Sequence, residues 1–159
     1  MFTVHPRCLQ IGETTVLLPA IEVEADPDRA EEQAAWQGEG TILVVDDEAV
    51  VRSVTQDFLE SQGFRVITAT DGRDAVAKSR EHADEIVAIL LDLGMPRMMG
   101  DEALDLIHKD RPDTPVIVMS GHSETMVRER FSEKQIVGFL QKPFQSDALM
   151  DKLRLAVKT

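Results

Sequence analysis

The sequence has a single cysteine, Cys8, and no long run of apolar residues. One thiol cannot form a disulfide within the chain, so the composition gives no indication of an oxidising compartment. No segment reaches the roughly 18 consecutive apolar residues that a membrane-spanning helix requires. The N-terminal residues also lack the apolar core of a signal peptide. We therefore predict a cytoplasmic protein, or the cytoplasmic end of a larger one, that makes no membrane contact.

Basic residues are also scarce. The 159 residues include 17 Lys and Arg against 29 Asp and Glu, which gives a formal net charge of −12. Nucleic-acid binding depends on clustered Lys and Arg that neutralise phosphates, so this composition argues against a nucleic-acid partner. The content of 43% hydrophobic and 29% charged residues is typical of a globular protein. The length suits one domain with an extension.

Acidic residues are concentrated before residue 41. Residues 21–40 contain seven acids and one base, together with Pro27 and two glycines, which is the composition of a solvated linker. We therefore divide the chain into residues 1–40, an N-terminal tail with an acidic linker, and a domain over residues 41–159. Within the tail, residues 14–18 are typical of a strand but have no evident partner strand nearby. Residues 29–36 are typical of a short acidic helix.

From residue 41 onward, predicted strands and helices alternate. Continuous apolar runs, typical of buried parallel strands, predict strands over residues 41–46, 64–69, 86–91, 115–119 and 137–140. Helical spacing of apolar residues, such as Val51, Val54 and Phe58, predicts helices over residues 49–62, 71–82, 101–109, 124–131 and 147–157. Five strand–helix units with short connections predict an α/β fold of (βα)5 type, with a doubly wound five-stranded parallel sheet.

Five polar residues follow the carboxyl ends of four of these strands, where the binding site of such a sheet lies. They are Asp46 and Asp47 at the end of the first strand, Asp92 after the third, Ser120 after the fourth and Lys142 after the fifth. Three clustered carboxylates repel one another, and a divalent cation relieves that repulsion. Oxygen ligands favour a hard ion such as Mg²⁺. A lysine and a hydroxyl beside that ion suit a phosphoryl group, which a carboxylate nucleophile accepts as an acyl phosphate.

Each of these features has an ordinary structural explanation when taken alone. An Asp-Asp pair after a strand is most often a turn or a helix cap, and Ser-Gly is a common turn. Their joint occurrence at four strand ends, in this order, makes coincidence a poor explanation. The other phosphate-binding patterns, GxxxxGK[ST] and GxGxxG, are absent from the sequence, as is the GxSxG motif of serine hydrolases.

Four segments of the sequence together resemble the receiver domain of two-component response regulators. The segments are Val44–Glu48, Leu91–Pro96, Met119–Gly121 and Phe139–Phe144. The resemblance covers roughly residues 41–158, and it implies the flavodoxin-like strand order 2-1-3-4-5.

The resemblance also implies roles for individual residues. Asp92 corresponds to the phosphoryl acceptor, and Lys142 to the lysine that pairs with the phosphoryl oxygens. Asp47 and Asp92 correspond to direct Mg²⁺ ligands, with the backbone carbonyl of Gly94 as a third. Asp46 corresponds to an acid that holds the ion mainly through water.

A second group of residues matches the family's conformational switch. The resemblance implies that Ser120 hydrogen-bonds to the phosphoryl group and shifts toward it on activation, and that Phe139 swings inward behind it. The alternative for Phe139 is a plain core aromatic. Pro143 matches a cis proline. For His122, two residues after Ser120, we hypothesise an influence on the attack of water, and thus on the lifetime of the acyl phosphate.

The implied function is a phosphorelay step in which Asp92 takes a phosphoryl group from a histidine kinase or a histidine phosphotransfer protein. Such a domain catalyses only its own phosphorylation and dephosphorylation, and we expect a monomer or a weak phosphorylation-dependent dimer. It would present a face formed by the fourth helix, the fifth strand and the fifth helix to a partner.

Two alternatives concern the larger context of this domain. No DNA-binding or catalytic output pattern follows the fifth predicted helix in this sequence, so we expect either a stand-alone receiver or the C-terminal receiver of a hybrid sensor histidine kinase. Residues 12–19, which end in Leu18-Pro19, are similar to the last strand of a kinase ATP-binding domain and favour the hybrid. A different class of protein, a metal-dependent phosphatase of the haloacid dehalogenase type, is also an alternative. Those enzymes carry a second aspartate two residues after the nucleophile, where this chain has Gly94.

Overall fold

The computed structural model describes residues 7–11, 14–18, 38–96, 98–131 and 136–157, and the chain divides into two units, Met1–Trp36 and Gln37–Thr159. The smaller unit contains an antiparallel hairpin of β1 (Arg7–Ile11) and β2 (Thr14–Leu18). The expectation that residues 14–18 have no partner strand nearby is therefore wrong. Two residues separate the strands, which is a common connection length for a hairpin. The helix predicted over residues 29–36 lies outside the described residues.

The larger unit is built on a five-stranded sheet whose strand pairs are all parallel. Its strands are β3 (Thr41–Val45), β4 (Arg65–Ala69), β5 (Ile86–Asp92), β6 (Val116–Ser120) and β7 (Gly138–Gln141). Their spatial order is β4-β3-β5-β6-β7. Numbered within this sheet, that order is 2-1-3-4-5, which confirms the predicted flavodoxin-like fold.

Five helices connect and follow these strands. They are α1 (Ala49–Ser61), α2 (Gly72–Glu81), α3 (Gly100–Asp110), α4 (Glu124–Arg130) and α5 (Ser146–Val157). The predicted boundaries agree with these to within one or two residues. Asp71 caps α2, because its side chain accepts hydrogen bonds from the backbone N–H groups of Arg73 and Asp74, each at 2.9 Å. No helix among the described residues is long and apolar enough to cross a membrane.

The three inner strands form the centre of the core. Every residue of β3 and β6 is buried, and so is all of β5 except Val87, whereas the edge strands β4 and β7 are partly exposed. On one face of the sheet, alternate strand residues pack with Leu104 and Ile107 of α3. Helices α1 and α5 also contact the sheet. Burial of both faces explains why these strands are continuous apolar runs.

The buried side of helix α1 differs from the side that its apolar spacing indicates. It buries Thr55 and Leu59, while Val54 is 63% exposed and Phe58 is half-buried. The helix turns by about 100° per residue, so Val54 lies well away from the line of Thr55 and Leu59. An apolar residue of α1 therefore faces outward, close to the carboxyl edge of the sheet.

Candidate functional site

The Lys142 side chain connects two buried carboxylates at the carboxyl edge of the sheet. Its Nζ lies 2.6 Å from Asp46 Oδ2 and 2.9 Å from Asp92 Oδ2. The side chains of Asp46, Asp92 and Lys142 are 0%, 7% and 19% exposed, respectively. Asp46 follows β3, Asp92 ends β5 and Lys142 follows β7, so the lysine reaches past β6 to make these contacts. The order of the strands thus brings together residues that are 96 and 50 positions apart.

The two carboxylates determine the charge state of this lysine. Burial by itself lowers the pKa of Lys142, but its hydrogen bonds and Coulombic attraction to Asp46 and Asp92 outweigh burial, so its pKa is raised. The ammonium group therefore stays protonated at neutral pH. It neutralises part of the negative charge that would otherwise be concentrated in a buried place.

Asp46 is held at each of its polar groups. Its backbone N–H donates to the Ala69 carbonyl at 3.2 Å, and its Oδ1 accepts from the Glu48 N–H at 2.9 Å. Its backbone carbonyl accepts a hydrogen bond of 2.6 Å from Nη1 of Arg52. Arg52 was not among the residues predicted for this site. The available signal was that Arg52 is the only basic residue in α1, six positions after Asp46.

Asp92 divides its two carboxylate oxygens between two donors. Oδ2 faces Lys142, and Oδ1 accepts from the Gly94 N–H at 3.0 Å. A Cβ at position 94 would lie 3.6 Å and 3.8 Å from the two Asp92 oxygens. A Cβ at this position would therefore be in ordinary van der Waals contact with the Asp92 carboxylate.

Asp47 completes an acidic cluster with Asp46 and Asp92. One carboxylate oxygen from each of the three lies within 4.8 Å of the others, and Asp47 is exposed whereas the other two are buried. Oxygen donors at this spacing suit a hard divalent cation. The predicted acidic residues and Lys142 are thus together in the structure.

Ser120 lies at the same edge but has different contacts. It is 3% exposed, and its Oγ accepts a hydrogen bond from the His122 N–H at 3.1 Å. The same Oγ lies 3.3 Å from His122 Nδ1. Among the described residues, no hydrogen bond joins Ser120 to the Asp92 carboxylate. The hydroxyl is therefore near the acidic cluster but is held by His122.

Two further predicted residues, Phe139 and Pro143, lie among the described residues. Phe139 is 7% exposed and packs in the core cluster with Val127 and Phe131, and the Lys142–Pro143 peptide bond is cis. The aromatic ring is therefore a core residue in this conformation, and its role as a switch stays a prediction.

Two cavities flank the site. One of about 210 Å³ lies beside Ser120 and His122 and is also lined by Gly94 and Met126. The other, of about 470 Å³, is lined by Lys142 and lies between α1 and the segment that follows β7. We call the second cavity the α1 groove; Val50, Val54 and Phe144 are among its lining residues.

Comparisons with known proteins agree with this geometry. Residues 42–154 match the response regulator receiver domain family. The chain is 32% identical to the chemotaxis protein CheY of Thermotoga maritima over 118 residues, which cover 74% of this chain and 97% of that protein. It is 32% identical to the sensor kinase CckA of Brucella abortus over 122 residues, which cover 77% of this chain and 13% of that protein.

A solved structure supports the same similarity. The crystal structure of a response regulator receiver domain protein from Clostridium thermocellum superposes with a TM-score of 0.71 at 26% identity, covering 75% of this chain and 94% of that one. The chain spans about a quarter or less of the length of the first curated relatives that it matches. None of these matches supports the haloacid dehalogenase alternative.

Proposed function

The chain belongs to the response regulator receiver domain family, and on this premise we propose that Asp92 is its phosphoryl acceptor. The observation that carries the proposal is the position of the Lys142 ammonium, 2.6 Å from Asp46 and 2.9 Å from Asp92. A lysine in that position holds its charge where the oxygens of a phosphoryl group on Asp92 would lie.

The proposed donor is a phosphohistidine of a histidine kinase or a histidine phosphotransfer protein. An Asp92 carboxylate oxygen attacks the phosphorus; the new O–P bond forms as the N–P bond breaks, and the imidazole leaves with the bonding electron pair. Lys142 then pairs with the phosphoryl oxygens. Since the ammonium is already beside Asp92, little rearrangement is needed as charge develops. Hydrolysis of the acyl phosphate would return Asp92 to its initial state.

Mg²⁺ is the proposed cofactor, and the three clustered carboxylates support it. We propose that Asp47, Asp92 and the Gly94 carbonyl hold the ion directly, and that Asp46 holds it through water. When bound, the ion would supply positive charge to the oxygens of the transferring phosphoryl group. Asp46 is fixed by its own hydrogen bonds, so this chain would keep at least one acid at the site in a constant orientation.

We further propose two contact surfaces for protein partners. The α1 groove lies beside Lys142, and Val50 and Val54 are 74% and 63% exposed there, which suits the apolar surface of a phosphohistidine donor. The two helices of the predicted α4–β7–α5 face carry exposed apolar residues, Met126 on α4 and Leu155 on α5, each 59% exposed. We propose that this face meets a downstream partner after Ser120 and Phe139 switch, either in a monomer or in a weak dimer.

The central experiment is phosphorylation with acetyl phosphate and Mg²⁺, followed by intact-mass measurement. We expect one phosphoryl group on the wild type, removable by hydroxylamine, and none on Asp92→Asn. Asp113→Asn is a matched control, since Asp113 is an exposed aspartate before β6, and it should be labelled as the wild type is. Stoichiometric labelling of Asp92→Asn at this site would contradict the assignment.

A second measurement tests the phosphatase alternative. Steady release of phosphate from simple phosphate esters, beyond one equivalent of protein, would contradict a receiver and favour a hydrolase. We expect no such turnover, because Gly94 stands where the hydrolase mechanism requires an acid.

The donor surface is tested by comparing a protein donor with a small one. We expect Val54→Asp to slow transfer from a phosphorylated histidine phosphotransfer domain about tenfold, because it places a charge in the apolar α1 groove, while labelling by acetyl phosphate stays unchanged. Leu155→Asp, on the α4–β7–α5 face, is the matched control and should affect neither reaction. Equal slowing with both donors would show that Val54 acts on the chemistry and not on docking.

We also propose the wider context of the chain. Since phosphohistidine donors are made from ATP inside the cell, the cytoplasm is the proposed location. Residues 1–40 are proposed as a tail and linker that precede the receiver, derived from a hybrid kinase whose ATP-binding domain ends in the β2 strand. The genomic reading frame upstream of Met1 tests this: an in-frame ATP-binding domain would support a hybrid, and an adjacent stop codon would support a stand-alone receiver.

A further inference from the structure

The hydroxyl of Ser120 makes both of its hydrogen-bond contacts, among the described residues, with one residue. The His122 backbone N–H donates to Oγ at 3.1 Å, and His122 Nδ1 lies 3.3 Å from the same oxygen. The main chain of Ser120 is fixed separately, because its carbonyl accepts a 2.8 Å hydrogen bond from the Lys142 N–H. Redirecting the hydroxyl therefore requires only a rotation of the side chain, and the contacts with His122 oppose that rotation.

The surroundings of Ser120 indicate which atom donates in the contact with Nδ1. If Nδ1 carried the ring proton, Oγ would accept two hydrogen bonds, and the hydroxyl proton, in a residue that is 3% exposed, would have no acceptor among the described residues. A buried donor without an acceptor is unfavourable. With the ring proton on Nε2, the hydroxyl donates to Nδ1, and Nε2–H is satisfied by solvent because His122 is exposed. This tautomer gives a partner to the Ser120 hydroxyl and to both ring nitrogens of His122.

We propose that His122 is a positioning residue that holds the Ser120 hydroxyl away from the phosphoryl site until Asp92 is phosphorylated. The inference rests on the proposed function of Asp92. On phosphorylation, the O–H···Nδ1 hydrogen bond is exchanged for one from the same hydroxyl to a phosphoryl oxygen. A hydrogen bond to a charged acceptor is the stronger of the two, so phosphorylation drives the exchange while His122 resists it. His122 thereby sets how readily the domain adopts its activated state.

The space around His122 makes this role testable by substitution. The residue is exposed, and a Cβ built at the neighbouring Gly121 would have no atom within 4 Å. The 210 Å³ cavity lies on the same side. Truncation of the imidazole therefore removes the Nδ1 contact with the Ser120 hydroxyl, keeps the backbone N–H contact, and leaves no void in a packed core, so we expect the variants to fold.

The test uses beryllofluoride with Mg²⁺ as a phosphoryl analogue, and the Gly121 amide resonance as the readout of binding. We expect His122→Ala to bind beryllofluoride about 2- to 10-fold more tightly than the wild type, the factor that one neutral hydrogen bond contributes. His122→Asn is the matched variant, because its Oδ1 occupies the position of Nδ1, and it should restore the wild-type affinity. Equal affinity of the wild type and His122→Ala would overturn the proposal, as would equal affinity of the Asn and Ala variants.

Two further measurements separate this role from other effects of His122. In a Ser120→Ala background, His122→Ala should have no further effect on beryllofluoride affinity. A persistent change would overturn the proposal, because the effect would then not depend on the hydroxyl.

The ¹⁵N shifts of the His122 ring should show the Nε2–H tautomer without beryllofluoride and a loss of the hydrogen bond at Nδ1 with it. A Nδ1–H tautomer in the free protein would also overturn it. Failure of the wild type to bind beryllofluoride would overturn both this role and the proposed function, whereas normal binding without a His122 effect would overturn this role alone.

Discussion

Asp92 lies between two regions of the same crevice that are held in very different ways. On one side, which we call the acidic side, Asp46, Asp92, Lys142 and Arg52 are joined by charged hydrogen bonds of 2.6 to 2.9 Å. On the other, the hydroxyl side, the Ser120 hydroxyl has two neutral contacts among the described residues, of 3.1 and 3.3 Å, both to His122. The acidic side is anchored to the core, whereas the hydroxyl side borders a cavity and an exposed loop residue.

The strengths of these contacts explain the difference. Hydrogen bonds that involve a charged group contribute about 1.5 to 3 kcal/mol, and neutral ones about 0.5 to 1.5 kcal/mol. A site that transfers a phosphoryl group needs charges in constant positions, but a site that signals the transfer needs a group that moves at small cost. The two sides of Asp92 meet these two requirements separately.

The largest expected effect comes from Lys142→Met on the acidic side. The substitution leaves two buried carboxylates without their cation, which costs up to about 3 kcal/mol of unfolding free energy, the lower end of the range for broken buried pairs because water reaches the lysine. Urea denaturation at pH 7 without Mg²⁺ measures the loss. Lys109→Met, which removes an exposed lysine of α3, should change stability by less than about 0.5 kcal/mol. Equal effects of the two variants would show that the acidic side is not held by Lys142.

Arg52→Met should have the next largest effect. It removes the charged hydrogen bond to the Asp46 carbonyl, and the loosened turn after β3 should weaken Mg²⁺ binding about tenfold, as expected when a positioning contact is lost. Isothermal titration with Mg²⁺ measures this. Arg73→Met is a suitable control, because Arg73 is exposed on α2. Unchanged Mg²⁺ affinity in Arg52→Met would mean that the Asp46 turn is rigid without the arginine.

Ser120→Ala tests the hydroxyl side and should change stability less. The hydroxyl makes only neutral contacts, so we expect a change of about 1 kcal/mol or less in urea denaturation. Labelling of Asp92 by acetyl phosphate should continue, but the resonances of the Phe139 ring should no longer shift on addition of beryllofluoride. A Phe139 shift as large as that of the wild type would remove Ser120 from the switch.

The smallest effect concerns pH and sharpens the contrast between the two sides. The pKa of Lys142 is raised, so its contribution to stability is complete below the ordinary lysine pKa of about 10.4 and disappears as pH rises through the higher folded value. In urea denaturation without Mg²⁺, the wild type should lose more stability than Lys142→Met above about pH 10, and Ser120→Ala should follow the wild type. Parallel curves for the wild type and Lys142→Met would contradict this.

The features that could be predicted from the sequence are those that depend on short-range patterns along the chain. The apolar runs and helical spacings predicted all five strands and helices of the larger unit, because burial imposes a local period on each element. The parallel sheet then placed Asp46, Asp92 and Lys142 at one edge, as their positions after the strands predicted. The contact of Arg52 with the Asp46 carbonyl was missed, since it depends on the direction of one side chain.

Two further features, the β1–β2 pairing and the exposure of Val54, were also not predicted, because they too depend on contacts between elements. The pairing of residues 14–18 with Arg7–Ile11 was not predicted, because residues 7–11 lack a strong strand pattern. They form a strand by pairing with β2. Val54 matched the helical spacing of α1, yet it is exposed, because the docking of α1 on the sheet selects the line through Thr55 and Leu59. Spacing reveals that a helix has an apolar side but leaves open which of two adjacent lines is buried.

By itself, the sequence determined the strand–helix alternation, the fold class and the set of acids, hydroxyl and lysine at one edge of the sheet. These features follow from periodicity and from the order of residues along the chain. Only the tertiary structure decided how the two sides of Asp92 differ. Whether Lys142 reaches Asp46 and whether the Ser120 hydroxyl meets His122 or Asp92 depend on the angles and distances between packed elements. Differences of tenths of an ångström decide whether a hydrogen bond forms, and no local sequence pattern specifies distances that finely.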